Sequence, residues 1–238
     1  MSLALLDRTR HQARTRRLKA RLSRIVRLGL LAVLAALFLR SCVYAPYAIP
    51  SRSMQPTLER GDYIFVAKWP YGYGRHALPL PSALPISLLP RFFAHLPDRG
   101  DMIVFKSPRD NRSDLVKRVI GLPGDVIAMR GGQLSLNGTP VPRRGAGSAA
   151  HYIETLPGGR DIRIIDSAAP ADFGPAIVPE NHLFLLGDHR SASADSRWTL
   201  AQNGLGMVPF GHVIGRADMI IMSLGADGLH PDRIGTKL

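Results

Sequence analysis

The chain has 238 residues, 45% of them apolar, which suffices for a buried core and excludes a disordered chain; the length suits one large domain or two small ones. A formal charge of +13 suggests nucleic-acid binding until it is located along the sequence. Residues 1–27 hold nine basic side chains against Asp7 alone, a net +8, so most of the surplus is a tail.

Behind the basic tail, taken as residues 1–24, Leu28 to Leu39 runs apolar without interruption. That stretch is shorter than the roughly 20 residues of a spanning helix. Ile25 and Val26 extend it, Arg27 and Arg40 can snorkel to opposite interfaces, and Tyr44 and Tyr47 suit a membrane boundary. A transmembrane helix is therefore expected over 25–45. The basic flank before it points to a cytoplasmic amino terminus, with residues 46–238 on the other side of the membrane. A cleaved signal peptide ending at Val43-Tyr44-Ala45 is the competing reading, and Pro46 would obstruct that cut. Cys42 is the only cysteine, so no intramolecular disulfide forms and the exported part must be stable by packing alone. Beside Arg40 it makes a poor lipid-attachment site and reads as a small apolar residue at the membrane edge.

From residue 62 onward, short β-rich runs bounded by Gly, Pro, Asp and Asn predict strands at 63–67, 102–105, 115–120, 126–129, 134–136, 162–165, 183–186 and 219–222. Asn137-Gly138 is the strongest hairpin signal. Gly61-Asp62, Gly100-Asp101 and Gly124-Asp125 mark turns that enter strands. Residues 70–98 are too rich in proline for a regular element and predict a long loop with possible membrane contact. Residues 142–176 form a second excursion around Gly158-Gly159, read as a small β subdomain inserted between core strands. The fold class is mainly β, with no long amphipathic helix to compete.

Three segments carry chemistry. In Ile49-Pro50-Ser51-Arg52-Ser53-Met54-Gln55-Pro56-Thr57-Leu58, two prolines restrict the backbone around Ser53, which suits a nucleophile and equally suits a turn or helix cap. Ser51 can cap the same turn, or donate its hydroxyl to a developing oxyanion together with the Ser53 N–H. In Asp114 to Asp125, alternation puts Leu115, Lys117 and Val119 on one strand face and Val116, Arg118 and Ile120 on the other. Lys117 thus has apolar neighbours. It is either a desolvated base able to activate a serine or an edge lysine that snorkels outward. Arg118 reads as a salt-bridge residue. The third segment, Gly187 to Arg197, is a small-residue loop after an apolar strand. His182, His189 and Asp188 leave a Ser-His-Asp triad open, whereas the eight histidines lack zinc-ligand spacing, so no metal and no cofactor are expected.

Together these segments resemble bacterial signal peptidase I, the membrane-bound leader peptidase, over residues 40 to 225. The family's I-P-S-x-S-M-x-P-T-L and K-R-x-x-G-x-P-G-D boxes are complete here, and its G-D-N-R-D-N-S-x-D-S-R box stands as G-D-H-R-S-A-S-A-D-S-R. The resemblance implies an antiparallel, partly barrel-like β fold and cleavage of signal peptides from exported preproteins at the outer face of the inner membrane. It implies Ser53 as nucleophile, Lys117 as general base, Ser51 in the oxyanion hole and Ser193 as the hydroxyl that orients Lys117. Asp195 and Arg197, with Arg118, would form a structural ion-pair network. Ile49, Met54, Leu58, Leu115 and Val116 would line apolar substrate pockets. Membrane phospholipid is an expected partner and nucleic acid is not. Arg52 departs from the family's usual glycine, and His189, Ser191 and Ala192 replace three polar positions. A related Ser-Lys peptidase for pilin or conjugation precursors, and a non-enzymatic membrane-anchored scaffold, are the alternatives.

Overall fold

The computed structural model describes residues 3–77, 91–167 and 172–238. It divides into an amino-terminal unit, Met1–Ser41, and a second unit, Cys42–Leu238. The first is one α-helix, α1 (Leu3–Phe38), which passes through the basic region without a break and ends in a π turn, Leu39–Val43. The stretch long and apolar enough to cross a membrane is Arg21–Val43. The expected carboxyl limit at residue 45 is too late, because Tyr44 already begins a strand.

That strand, β1 (Tyr44–Ala48), had no place among the predicted ones. Tyr44 and Tyr47 read as interfacial aromatics and Pro46 only as an obstacle to a cut after Ala45; β1 is an edge strand, where a missing N–H is tolerated. It pairs antiparallel with β2 (Asp62–Ala67). There follow β3 (Met102–Lys106), β4 (Asp114–Gly121), β5 (Val126–Arg130), β6 (Gln133–Leu136) and β7 (Thr139–Pro140). Asn137 and Gly138 join β6 to β7 with φ of 52° and 80°, the left-handed pair that a two-residue hairpin turn requires.

The 142–176 excursion carries β8 (Arg143–Gly145), β9 (His151–Thr155) and β10 (Asp161–Ile165), a three-stranded sheet of their own. Its last part, β11 (Phe173–Ile177), returns to pair with β5, giving a second sheet in the order β11-β5-β6-β7. The chain then forms β12 (His182–Leu186), β13 (Val208–Pro209), the long β14 (Val213–Gly225) and β15 (Gly228–Leu229). The main sheet has the order β1-β2-β14-β3-β4-β12-β13, with β15 folded back on β14. It is antiparallel and curls into a half barrel, and β14 carries register shifts against both β2 and β3 where it bends.

Three apolar clusters hold these layers together. Met54, Leu58, Ile64, Val104 and Ile220 pack with Val116 on one face of the main sheet, while Ile103, Phe105, Val119 and Leu185 pack with Leu115 on the other. The alternation read in β4 therefore serves two separate cores. Ile127, Leu134, Leu156, Ile164 and Phe184 form the third cluster and join the main sheet to both smaller ones.

Of the long loop, Tyr71, Tyr73 and Phe92 are in place. Tyr73 bridges to Phe92 by two backbone hydrogen bonds of 2.9 and 3.1 Å, and the Tyr71 hydroxyl donates to Asp101. Residues 78–90, which include Pro79, Pro81, Pro85 and Pro90, lie outside the described residues.

Candidate active site

Ser53 lies five residues beyond the end of β1, in a turn where the Gln55 N–H reaches the Arg52 carbonyl and the Leu58 N–H that of Met54. The apolar side chains of Ile49, Met54 and Leu58 anchor this turn to the core, all of them nearly or wholly inaccessible. Lys117 projects from the middle of β4, opposite Ile103 in register. Its Nζ lies 2.6 Å from the Ser53 Oγ, a contact across 64 residues of sequence with both residues buried. Burial pushes the Lys117 pKa down to about 8, against the opposing pull of the Asp195 and Asp188 carboxylates and with help from Arg197. An amine at that value is a usable base near neutral pH, and the hydrogen bond puts it where the serine proton must go. The Ser51 hydroxyl stands 3.2 Å from the Ser53 Oγ on the exposed side, open to a substrate carbonyl.

The third segment holds the Ser53 backbone. The His189 N–H donates to the Ser53 carbonyl at 3.1 Å, and a Cβ built on Gly187 would lie 2.5 Å from that carbonyl oxygen and 2.3 Å from the Ser193 Oγ. Only glycine lets the two segments come so close. Asp195 accepts from the Gly187 N–H and pairs with Arg197 through both its carboxylate oxygens, at 2.8 and 2.9 Å.

Arg118 pairs with Asp188 through contacts of 2.7 and 2.6 Å, an acid the sequence reading had not assigned to it. The strand alternation that separates Arg118 from Lys117 also directs it to the Thr57 and Gly100 side, where Thr57 donates to the same Asp188. Ser193 is buried at the site, yet its hydroxyl has no hydrogen-bond partner among the described residues and makes none to Lys117. Its side chain sits over Gly187 instead. Leu58 has no exposed surface and belongs to the packing beneath the site, whereas Leu115 and Val116 are partly accessible beside Lys117.

A histidine triad does not assemble. Asp188 is committed to Arg118 and Thr57, His182 turns to the Glu180 carbonyl, and the buried Nδ1 of His189 has no partner among the described residues.

The family model for signal peptidase, peptidase S26, matches residues 22–222. The chain belongs to that family. It is 36% identical over 205 residues to the signal peptidase I of Rickettsia typhi, which covers 79% of this chain and 75% of the relative, and 35% identical over the same length to that of Rickettsia rickettsii. Among solved structures, a signal peptidase I from Enterococcus faecalis matches at 29% identity and a TM-score of 0.34, covering 51% of this chain and 97% of the other. The chain is thus a serine peptidase of the signal peptidase I family, whose function is to cleave the signal peptides of preproteins. The family's members are membrane enzymes, in keeping with an amino-terminal helix that, among the described residues, is long and apolar enough to cross a membrane.

Sequence reasoning missed Arg190 and Glu154 in this family member. They form a buried pair with contacts of 3.0 and 2.5 Å that ties the third segment to β9. Arg190 matches the arginine of the G-D-x-R box and could have been singled out. Glu154 sits in a strand with no local signal, 36 residues away.

Proposed function

We propose that this enzyme cleaves signal peptides by a Ser53-Lys117 dyad. Neutral Lys117 accepts the Ser53 proton as Oγ attacks the carbonyl carbon of the scissile bond. The tetrahedral oxyanion takes hydrogen bonds from the Ser51 hydroxyl and the Ser53 N–H. The new ammonium then gives its proton to the leaving amine, and the signal peptide remains as an ester on Ser53. A water molecule, deprotonated by Lys117, attacks the ester carbon; the acyl–Oγ bond breaks, the Lys117 ammonium returns its proton to the Ser53 Oγ, and the signal peptide leaves with a free carboxylate. The observation that carries this reading is the buried 2.6 Å contact between Lys117 and Ser53.

Small residues before the cut would be selected sterically by shallow apolar ground at Val116, with Ile49 and Met54 as its floor, and at Leu115 on the Lys117 face of β4. Ser193 would turn its hydroxyl to Lys117 once substrate is bound.

The helix would cross the inner membrane with its basic end in the cytoplasm, and the unit from Cys42 onward would work on the outer side. Exposed Trp69, Phe92 and Phe93 suit contact with phospholipid. Nucleic acid is not a partner on this reading, since the basic surplus lies in the tail beside the span. The test is incubation of the purified, detergent-solubilised enzyme with one preprotein. Wild type should release the mature chain, and Ser53→Ala and Lys117→Ala should each be inactive while folded. An active Lys117→Ala enzyme would overturn the dyad.

A further inference from the structure

Beside the nucleophile turn lies an open cleft of about 770 Å³ that the dyad does not use. One wall is the turn itself, from Ala48 to Gln55, and the other is the end of β14 with its return to β15, through Asp227 and His230. Four charged side chains other than the histidine line it: Arg52, Glu59, Arg60 and Asp227. Both acids are already engaged, Glu59 with Arg233 at 3.5 Å and Asp227 with His230 at 2.9 Å. Arg52 and Arg60 are exposed and have no acidic partner among the described residues. The cleft therefore presents two uncommitted guanidinium groups.

Its position gives the cleft a direction. β1 leads from Tyr44, just after the apolar helix, to Ala48; β2 returns, so that Ala67 pairs with Tyr44 and Tyr63 with Ala48. β14 runs out again and reaches Ser223 opposite Asp62. The cleft is at the far end of these three strands from Cys42. A peptide whose scissile bond is held at Ser53 has its signal side and its mature side on either side of the turn, and the cleft borders that turn from Ala48 to Gln55.

We infer that this cleft is the subsite for the first residues of the mature chain, and that Arg52 and Arg60 make it prefer acidic side chains just after the scissile bond. The inference rests on the dyad reading. Arg52 occupies the position between the two serines, so a guanidinium stands within one residue of the nucleophile on that side. Exposed pairs of this kind are individually weak, and two of them acting together give a preference of about fivefold.

The test uses the full-length enzyme in neutral detergent and three peptides with one signal sequence and one cut, carrying Glu-Glu, Gln-Gln or Lys-Lys at the second and third positions after it. Wild type should cleave the Glu-Glu peptide with a kcat/KM about fivefold above that of the Lys-Lys peptide, and rising salt should compress the ratio. Arg60→Glu, away from the dyad, should bring the ratio toward one, and Arg52→Glu with Arg60→Glu should invert it. Because each enzyme is compared with itself, a general loss of rate from altering the turn leaves the ratio readable. A ratio equal in wild type and Arg60→Glu, with all three peptides cut, would overturn the subsite and leave the dyad standing. Failure of wild type to cut any of the three would overturn the dyad, and the subsite with it.

Discussion

Lys117 sets a pH dependence in both activity and stability. Burial takes its pKa from 10.5 to about 8. At pH 7 about one molecule in ten then holds a neutral lysine, against about one in 3,000 for a free side chain, a gain of roughly 300-fold in active base. Below pH 8 kcat/KM should fall about tenfold per pH unit, and above it should level off. Folding responds in the same range. Because the folded-state value is the lower one, the unfolded chain binds more protons between about pH 8 and 10.5, so stability rises with pH across that window. Below pH 8 the whole penalty for the buried ammonium is present, about 3 kcal/mol. Lys117→Met removes it. Denaturant unfolding of wild type and Lys117→Met, followed by tryptophan fluorescence in one detergent at pH 8 and 10.5, isolates the effect, because every other titrating group is common to both. The variant should be inactive, and its stability relative to wild type should be greater at pH 8 by about 3 kcal/mol than at pH 10.5. A stability difference that does not change with pH, or an acidic limb of kcat/KM flat down to about pH 5 in folded enzyme, would refute lysine as the buried base.

Ser51→Ala should lower kcat by the equivalent of about 2 to 4 kcal/mol as one lost oxyanion donor, measured in steady-state kinetics with folding checked by circular dichroism. Gly187→Ala should sharply reduce kcat, since the added Cβ would meet the Ser53 carbonyl at 2.5 Å and the Ser193 hydroxyl at 2.3 Å; full activity would mean that the two segments separate without consequence. Glu154→Ala strands the buried Arg190 guanidinium and should destabilise the protein by about 3 to 5 kcal/mol in denaturant unfolding. His189→Ala should keep its activity, because the contact with Ser53 comes from the His189 backbone N–H; an inactive, folded variant would restore the histidine reading.

How much of this was legible in the sequence depended on whether the signal was local. The Asn-Gly hairpin, the Gly-Asp turns and the alternation in β4 are short-range devices, and each came out where its residues stood. β1 was lost because its tyrosines and proline have a second meaning at a membrane edge, and only pairing with β2 decides between them. Ser53 and Lys117 were found through their flanking boxes, not through each other. Nothing local says that a serine beside two prolines and a lysine 64 residues later will stand 2.6 Å apart. The partners of Arg118 and Arg190 were out of reach for the same reason: a carboxylate that pairs across the fold leaves no mark at its own position.

The arrangement of ion pairs also explains why the lysine alone gives up its charge. Asp188 and Asp195 both act on Lys117 and raise its pKa against the larger effect of burial. Each is neutralised by an arginine in two-point contact, Asp188 by Arg118 and Asp195 by Arg197, and an arginine cannot release its proton at these pH values. The two carboxylates are thereby spent on fixing the third segment against β4 and against itself, and their field at Lys117 is reduced to less than the desolvation that opposes it. Replacing Arg197 would remove that screen, and a lone Asp195 would draw the proton back onto the lysine. On the dyad reading, Arg197 thus acts on the reaction through the pKa of a residue it does not touch.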